Sequence, residues 1–114
     1  MIAEDTDSVR FALRMLMEHL GHEVVAVVAD GEEALRQYDG ARPELVLMDV
    51  RMPGMDGLTC TLRLAEHDPH VRVVIVTAGR TTEREARKAG ACGYIEKPFD
   101  VSEMDQVIHA AAAA

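Results

Sequence analysis

Side chains suited to binding a metal ion and a phosphoryl group follow four short apolar segments of this sequence. Asp49 closes one apolar segment, and the acid pair Glu4 and Asp5 follows the apolar start of the chain. Thr77 closes a β-branched run, and Lys97 follows a short strand-like segment near the carboxyl end. Carboxylates bind hard divalent cations, whereas hydroxyl and ammonium groups donate hydrogen bonds to phosphoryl oxygens. These residue types predict one divalent-metal and phosphate site, provided that the fold brings them together.

Strand and helix signals alternate along the chain. Apolar and β-branched segments predict five strands, at residues 1–3, 23–29, 45–48, 71–76 and 93–95. Helical periodicity with cap and stop signals predicts five helices. The first is capped by Asp7 or Ser8 and runs to about 20, the second opens at a capping box from Asp30 and runs to about 38, and the third spans 57 to 66. The fourth starts at a capping box from Thr82 and ends at 90, and the fifth is capped by Asp100 and runs into the alanines that end the sequence. Five repeats of strand then helix predict a parallel sheet with helices on both faces.

The predicted architecture is a doubly wound α/β domain. Right-handed crossovers make 2-1-3-4-5 the expected order of the five parallel strands. A length of 114 residues suits a single domain with a buried core, residues 1–114. In this order the first and third strands flank the switch point of the sheet, and ligands bind at the carboxyl ends of strands there.

This strand order brings Glu4, Asp5 and Asp49 into one crevice. Three neighbouring carboxylates repel one another, which raises the pKa of at least one of them and destabilises the empty site. A hard dication relieves the repulsion. Mg2+ suits the position best, because it is held by one or two carboxylates, keeps several waters and leaves room for phosphate oxygens.

Thr77 and Lys97 complete the predicted site. Thr77 is followed by Ala78 and Gly79, which leave its hydroxyl sterically open. A lysine beside three acids neutralises charge and can cradle an anionic phosphoryl group, and its bond to Pro98 is a candidate for the cis form. Each side chain alone has an ordinary explanation, and only their combination at strand ends indicates a site.

Composition excludes several classes of function. The net charge of -8 argues against direct nucleic-acid binding by this domain, because phosphate contacts need clusters of Lys and Arg. No segment has the roughly 18–20 apolar residues of a membrane helix, and no signal-peptide pattern opens the chain. Cys60 and Cys92 lack metal-ligand spacing and are expected to be reduced thiols. We therefore expect a cytoplasmic protein without membrane contact.

Taken together, these residues resemble the receiver domain of bacterial two-component response regulators, the chemotaxis-regulator-like superfamily with a flavodoxin-like fold. The resemblance is carried by Glu4-Asp5, by Asp49 with Met52-Pro53-Gly54-Met55-Asp56-Gly57, by Thr77-Ala78, and by Gly90-Ala91 leading to Tyr94 and Lys97-Pro98-Phe99. It covers essentially the whole chain. It implies a receiver domain that either stands alone or forms the amino-terminal part of a longer response regulator.

The resemblance implies a phospho-acceptor and a metal site. Asp49 would accept the phosphoryl group of a phosphohistidine on a sensor histidine kinase or phosphotransfer protein, forming an aspartyl phosphate. Asp5, Asp49 and the backbone carbonyl of Arg51 would bind Mg2+ directly, and Glu4 would act through water. Glu4 stands where the family commonly has aspartate. In the family, the side chain at the position of Arg51 lies near the water that hydrolyses the aspartyl phosphate. We therefore expect Arg51 to affect the lifetime of the phosphorylated form.

The resemblance also implies a signalling switch. Lys97 would contact the phosphoryl group or Asp49, Thr77 would move towards the phosphoryl oxygens, and Tyr94 would swing inward behind it. The movement would alter the face built from the fourth helix, fifth strand and fifth helix, which a downstream effector, a fused output domain or a second copy in a homodimer would read. Such a domain is no enzyme with an external substrate, although it assists its own phosphorylation and dephosphorylation.

Three other functions stay open. A degenerate receiver would act as a binding module without phosphorylation. A Mg2+-dependent phosphohydrolase would turn over through an aspartyl phosphate, but many such enzymes carry a second acid where Arg51 stands. A flavodoxin-like small-molecule binder would need a hydroxyl-rich phosphate loop after the first strand, where this chain has the acidic segment 4–7, and aromatic residues, which are few.

Overall fold

Parallel pairing of five short strands organises this chain. The computed structural model describes residues 1–113. The strands are β1 (Ile2–Ala3), β2 (Val27–Val28), β3 (Val46–Asp49), β4 (Val73–Thr77) and β5 (Gly93–Glu96). The helices are α1 (Asp7–His19), α2 (Gly31–Ala41), α3 (Gly57–His67), α4 (Glu83–Lys88) and α5 (Val101–Ala112). Among these helices, none is long and apolar enough to cross a membrane.

Neighbouring strands all run parallel, in the order β2-β1-β3-β4-β5, which confirms the predicted doubly wound sheet. β3 lies at the centre with β4 beside it, and every residue of both strands is buried. Helices cover both faces, so these strands need apolar side chains on both sides. This explains why their sequences are apolar without interruption until Asp49 and Thr77.

Two apolar layers hold the helices against the sheet. One layer joins β3 and β4 to α2, α3 and α4 through Val46, Met48, Val73, Ile75, Ala34, Leu64 and Ala86. The other joins them to α1 and α5 through Leu47, Val74, Val76, Leu13, Met17, Met104 and Ile108. Successive strand residues point to opposite faces, so the core is divided by the sheet. The carboxyl edge of the sheet is left for polar groups.

The lengths of β2, α2 and α4 differ most from the prediction, and α4 spans only Glu83–Lys88 within the predicted 82–90. β2 pairs only at Val27–Val28 and not over residues 23–29, because its one neighbour, β1, offers only Ile2–Ala3 as partners. A strand at the edge of a sheet extends no further than the ladder that supports it. α2 continues past the predicted end near 38 to Ala41.

The predicted cap of α1 is wrong. The helix begins at Asp7, so neither Asp7 nor Ser8 is the N-cap residue. Thr6 takes that position, and its side chain makes no capping hydrogen bond. The loop between β1 and α1, which carries two of the three acids, is therefore not fastened by the usual side-chain cap.

The loop from β3 to α3 folds back tightly on the end of β3. Gly54 has φ +75°, and Asp56 caps α3 by accepting a hydrogen bond from the Thr59 N–H at 2.8 Å. The N–H of Gly57 donates to the carbonyl oxygen of Val50 at 2.8 Å. The first turn of α3 thus lies directly against the backbone that carries Asp49.

Replacing Gly57 by alanine is expected to destabilise the domain strongly. The added Cβ would lie 2.0 Å from the Asp49 carbonyl oxygen and 2.9 Å from the Val50 Cα, so the backbone itself would have to move. We expect a loss of about 3 kcal/mol in the free energy of unfolding, measured by urea denaturation.

Gly40→Ala is the matched control for that variant. A Cβ at Gly40 would meet no atom within 4 Å, and the residue lies in α2. Alanine is favoured over glycine in a helix by up to about 1 kcal/mol, so this variant should be as stable as wild type or more stable. Equal stability of the two variants would contradict the close approach at Gly57.

Candidate functional site

Three carboxylates meet at the carboxyl edge of the sheet, where β1 and β3 pair. Glu4 and Asp5 follow β1, and Asp49 ends β3. One carboxylate oxygen from each acid lies within 4.8 Å of the other two. Glu4 is buried, Asp49 is 9% exposed and Asp5 is exposed. The cluster is therefore closed on the side of Glu4 and reaches solvent at Asp5.

Lys97 reaches this cluster from the end of β5. Its Nζ lies 3.2 Å from Oε1 of Glu4 and 3.9 Å from Oδ1 of Asp49. Its backbone N–H donates to the carbonyl oxygen of Thr77 at 2.7 Å, which ties the lysine to the end of β4. The Lys97–Pro98 bond is cis, the form for which it was a candidate. The ammonium group therefore binds Glu4 and lies further from Asp49.

Both oxygens of the Glu4 carboxylate accept hydrogen bonds from the protein. Oε1 accepts from Nζ of Lys97, and Oε2 accepts from the N–H of Thr6 at 2.9 Å. Burial alone would raise the pKa of Glu4, but these two donors outweigh it and lower the pKa. Glu4 is thus ionised at neutral pH, and its charge acts on the other two acids.

The pKa values of Asp49 and Asp5 are both raised. Burial, followed by the negative charge of Glu4, raises the pKa of Asp49 to about 6, although Lys97 acts in the opposite direction. Desolvation and the contact with Glu4 raise the pKa of Asp5. This is the repulsion expected of three neighbouring carboxylates, and a divalent cation held between them would relieve it.

An open cavity of about 330 Å³ lies over the acids. Thr77 lines it from the end of β4 and is buried, whereas Arg51 and Arg80 are exposed at its rim. Six of the predicted site residues line it together: Glu4, Asp5, Asp49, Arg51, Thr77 and Lys97. A larger cavity, of about 410 Å³, lies beside the residues that precede β1, β2 and β3. None of the predicted site residues lines it.

Tyr94, the seventh predicted site residue, does not line the cavity. Its hydroxyl lies 2.5 Å from the carbonyl oxygen of Thr81 and 2.8 Å from Oε1 of Glu96. The single phenolic proton can be donated to only one of these acceptors at a time. Burial and the neighbouring Glu96 raise the pKa of Tyr94 to about 12. Tyr94 thus links β5 to the loop after β4 through the carbonyl oxygen of Thr81, and its second partner, Glu96, lies on β5 itself and was not identified from the sequence.

Arg10 is a second residue of this site that the sequence prediction missed. Its Nη1 donates to the carbonyl oxygens of Glu4 at 2.8 Å and Asp5 at 3.3 Å, and its Nη2 donates to the carboxylate of Asp7. The spacing of three between Asp7 and Arg10 on a helix was the available signal. That spacing predicts a surface ion pair, but not the return of the guanidinium to the loop that carries the acids.

Replacing Asp49 by asparagine is expected to stabilise the metal-free protein at neutral pH. The pKa of Asp49 is about 6 in the folded state against the usual 3.8, so its ionisation disfavours the folded state. Below about pH 3 the carboxyl group is largely neutral in both states and this penalty is absent; it grows as the pH rises between the two pKa values and is complete above about pH 7.

The free energies of unfolding of wild type and Asp49→Asn, compared with a chelator present, measure this penalty. We expect the variant to be more stable by about 2 kcal/mol near pH 7.5 and equal to wild type at about pH 3. A stability difference that does not change with pH would contradict the raised pKa of Asp49.

Known proteins share this arrangement. A sequence model of the response regulator receiver domain matches residues 1–109. Response regulator GacA of Pseudomonas viridiflava is 39% identical over 111 residues, which cover 95% of this chain and 52% of GacA. The chain spans about half the length of the curated relatives that it matches in this way.

Solved structures agree in fold and in sequence. A LuxR-family two-component response regulator from Aurantimonas sp. SI85-9A1 has a TM-score of 0.92 at 36% identity, covering 98% of this chain and 82% of that chain. A chain of the CheX-CheY-BeF3-Mg2+ complex from Borrelia burgdorferi has a TM-score of 0.87 at 30% identity, covering 94% of this chain and 83% of that chain. With the family match over residues 1–109, these likenesses show that the chain belongs to the response regulator receiver domains, the signalling modules of two-component systems.

Proposed function

We propose that Asp49 is the phospho-acceptor of this receiver domain. It would take the phosphoryl group from a phosphohistidine of a sensor histidine kinase or phosphotransfer protein. The observation that carries the proposal is the position of Asp49, at the end of β3 in the open cavity, with Glu4 on one side and Lys97 3.9 Å away. The raised pKa of Asp49 reflects a carboxylate held among like charges, as expected of a site that acts with a cation.

Mg2+ is the cation that we propose for this site. The fit rests on three carboxylate oxygens within 4.8 Å of one another and on the raised pKa values of Asp5 and Asp49. Asp5, Asp49 and the backbone carbonyl of Arg51 would hold the ion directly, and Glu4 would act through water. When bound, the ion would neutralise charge on the transferring phosphoryl group. The Borrelia burgdorferi neighbour, a complex with BeF3 and Mg2+, supports this choice.

The transfer itself asks mainly for position and charge. A carboxylate oxygen of Asp49 forms the new bond to phosphorus while the bond from phosphorus to the donor imidazole nitrogen breaks. Lys97, which binds Glu4 at 3.2 Å before transfer, would move to the phosphoryl oxygens that arrive beside Asp49. The hydrogen bond to Glu4 thus holds the Lys97 ammonium group close to Asp49, where the phosphoryl oxygens would arrive.

The switch would start at Thr77 and pass to Tyr94. Thr77 is buried at the cavity wall, and its hydroxyl accepts a weak hydrogen bond from the N–H of Gly79 at 3.4 Å. Movement of Thr77 towards the phosphoryl oxygens would draw in the loop after β4. That loop includes Thr81, whose carbonyl oxygen contacts Tyr94. The face of α4, β5 and α5 would change with it, and an effector, a fused output domain or a second copy would read the change.

The competing functions fit this site less well. A phosphohydrolase of the kind considered would need an acid where Arg51 stands, at the exposed rim of the cavity. A binding module without phosphorylation would have no need for the three acids, Thr77 and Lys97 around one cavity. We therefore favour a signalling switch that assists its own phosphorylation and dephosphorylation, formed by residues 1–114 as one domain. Its proposed kinase partner implies a cytoplasmic location, and its negative charge disfavours direct contact with nucleic acid.

Mass spectrometry of the intact protein tests the proposal directly. After incubation with acetyl phosphate, wild type should gain one phosphoryl group, only when Mg2+ is present, and lose it in base. Asp49→Asn should gain none. A phosphoryl adduct on Asp49→Asn would overturn the assignment of Asp49. Absence of both an adduct and beryllofluoride binding on folded wild type would favour the phosphorylation-independent module.

Arg51 is expected to lengthen the life of the phosphorylated form. Its side chain at the rim of the cavity would shield the aspartyl phosphate from water, so Arg51→Ala should dephosphorylate several-fold faster. The loss of the phosphoryl adduct with time, followed after rapid removal of acetyl phosphate, gives the rate. Arg63→Ala, on the exposed face of α3, is the control and should decay like wild type. Equal rates for all three proteins would refute the shielding role.

A further inference from the structure

The guanidinium of Arg10 is built into the backbone of the β1–α1 loop. It donates to the carbonyl oxygens of Glu4 and Asp5 and to the carboxylate of Asp7, so one side chain contacts three of the four residues from 4 to 7. Its side chain is 22% exposed; its hydrogen bond to the Glu4 carbonyl is partly buried, and those to Asp5 and Asp7 are exposed. Arg14, one turn further along α1, is 51% exposed and pairs only loosely with Glu18 at 3.7 Å.

The loop needs such a fastening. The N-cap residue Thr6 makes no side-chain hydrogen bond to α1. A further hydrogen bond within the loop runs from the N–H of Thr6 to the carboxylate of Glu4 and holds that carboxylate in place. Asp5 is exposed, and its carboxylate contacts the side chain of Glu4, a second acid that repels it when both are ionised. The orientation of the Asp5 carboxylate therefore depends on the peptide groups on either side of it, whose carbonyl oxygens are those that Arg10 binds.

We propose that Arg10 is a positioning residue for the cation site: by binding the carbonyl oxygens of Glu4 and Asp5, it holds the Asp5 carboxylate towards Asp49. This inference rests on the proposed Mg2+ site and goes beyond it, because Arg10 touches neither the cation nor the phosphoryl group. Partners that orient metal ligands commonly change metal affinity by 10- to 100-fold when they are removed.

Whether removal of Arg10 weakens or tightens Mg2+ binding distinguishes a positioning role from a purely electrostatic one. A positive charge beside a cation site repels Mg2+, so if Arg10 acted only through its charge, its removal would tighten Mg2+ binding. If Arg10 positions Asp5, its removal weakens binding despite the loss of a repelling charge. Lysine keeps the charge but lacks the planar fork that reaches two carbonyl oxygens and a carboxylate at once.

Calorimetric titration of the full chain with Mg2+ alone, and electron paramagnetic resonance titration with Mn2+, supply the test. Arg10→Gln should weaken cation binding about 10-fold, and Arg10→Lys should also weaken it. Arg14→Gln removes the same charge one turn away and should bind as wild type does or slightly more tightly. Circular dichroism and urea unfolding show which variants are folded, and only those are compared. If Arg10→Gln does not fold, the milder variant Arg10→Lys supplies the comparison.

A double-mutant cycle with Asp5→Asn asks whether Arg10 acts through Asp5. The effect of Arg10→Gln should disappear in the Asp5→Asn background, because there is no longer a carboxylate to orient. Unchanged or tighter cation binding in Arg10→Gln, or full additivity of the two substitutions, would overturn the inference while Mg2+-dependent phosphorylation of wild type stands. If wild type binds neither Mg2+ nor Mn2+, the proposed site and this inference fail together.

Discussion

Repulsion among three carboxylates is the constraint on which the site depends. Pairing of β1 with β3 brings Glu4, Asp5 and Asp49 together, and burial removes much of the water that would screen them. Glu4 remains ionised because Lys97 and the N–H of Thr6 satisfy both its oxygens. The unfavourable energy therefore falls on Asp49 and Asp5, whose pKa values rise. The metal-free domain holds a cluster of negative charge that a cation can neutralise. Without the cation, the ionisation of Asp49 and Asp5 lowers the stability of the folded state.

The rest of the fold keeps these charges in place at one edge of an otherwise apolar sheet. Helices cover both faces, so the strands stay apolar until they leave the core, and their carboxyl ends are the first positions where polar side chains are tolerated. Gly57 lets α3 pack against the backbone of Asp49, which holds β3 and the loop after it as one unit. On the other side, a backbone hydrogen bond joins Lys97 to Thr77 and holds the ends of β4 and β5 together.

How far the sequence predicts this structure depends on how local each signal is. β3, β4 and the caps Asp30, Thr82 and Asp100 follow from patterns within a few residues, and the side chains of all three caps accept the expected backbone hydrogen bond. The length of β2 was overestimated because its Val-rich sequence says nothing about how short its partner β1 is. The cap of α1 was misjudged for a related reason: Thr6 N–H is bound by Glu4, whose position is set by the sheet and not by the helix.

The sequence by itself determined the fold class, the strand order and the set of residues at the carboxyl edge, because alternating apolar periods and strand-end polar groups are local features of the chain. Only the tertiary structure decided which of these groups are partners. Lys97 binds Glu4 more closely than Asp49 across 93 positions of sequence, and Arg10 turns back to the loop of the acids. The Tyr94 hydroxyl lies within hydrogen-bond distance of two acceptors, the Thr81 carbonyl and the Glu96 carboxylate. Such contacts depend on differences of about one ångström in side-chain position, and those are set by packing across the whole domain, which no local pattern records.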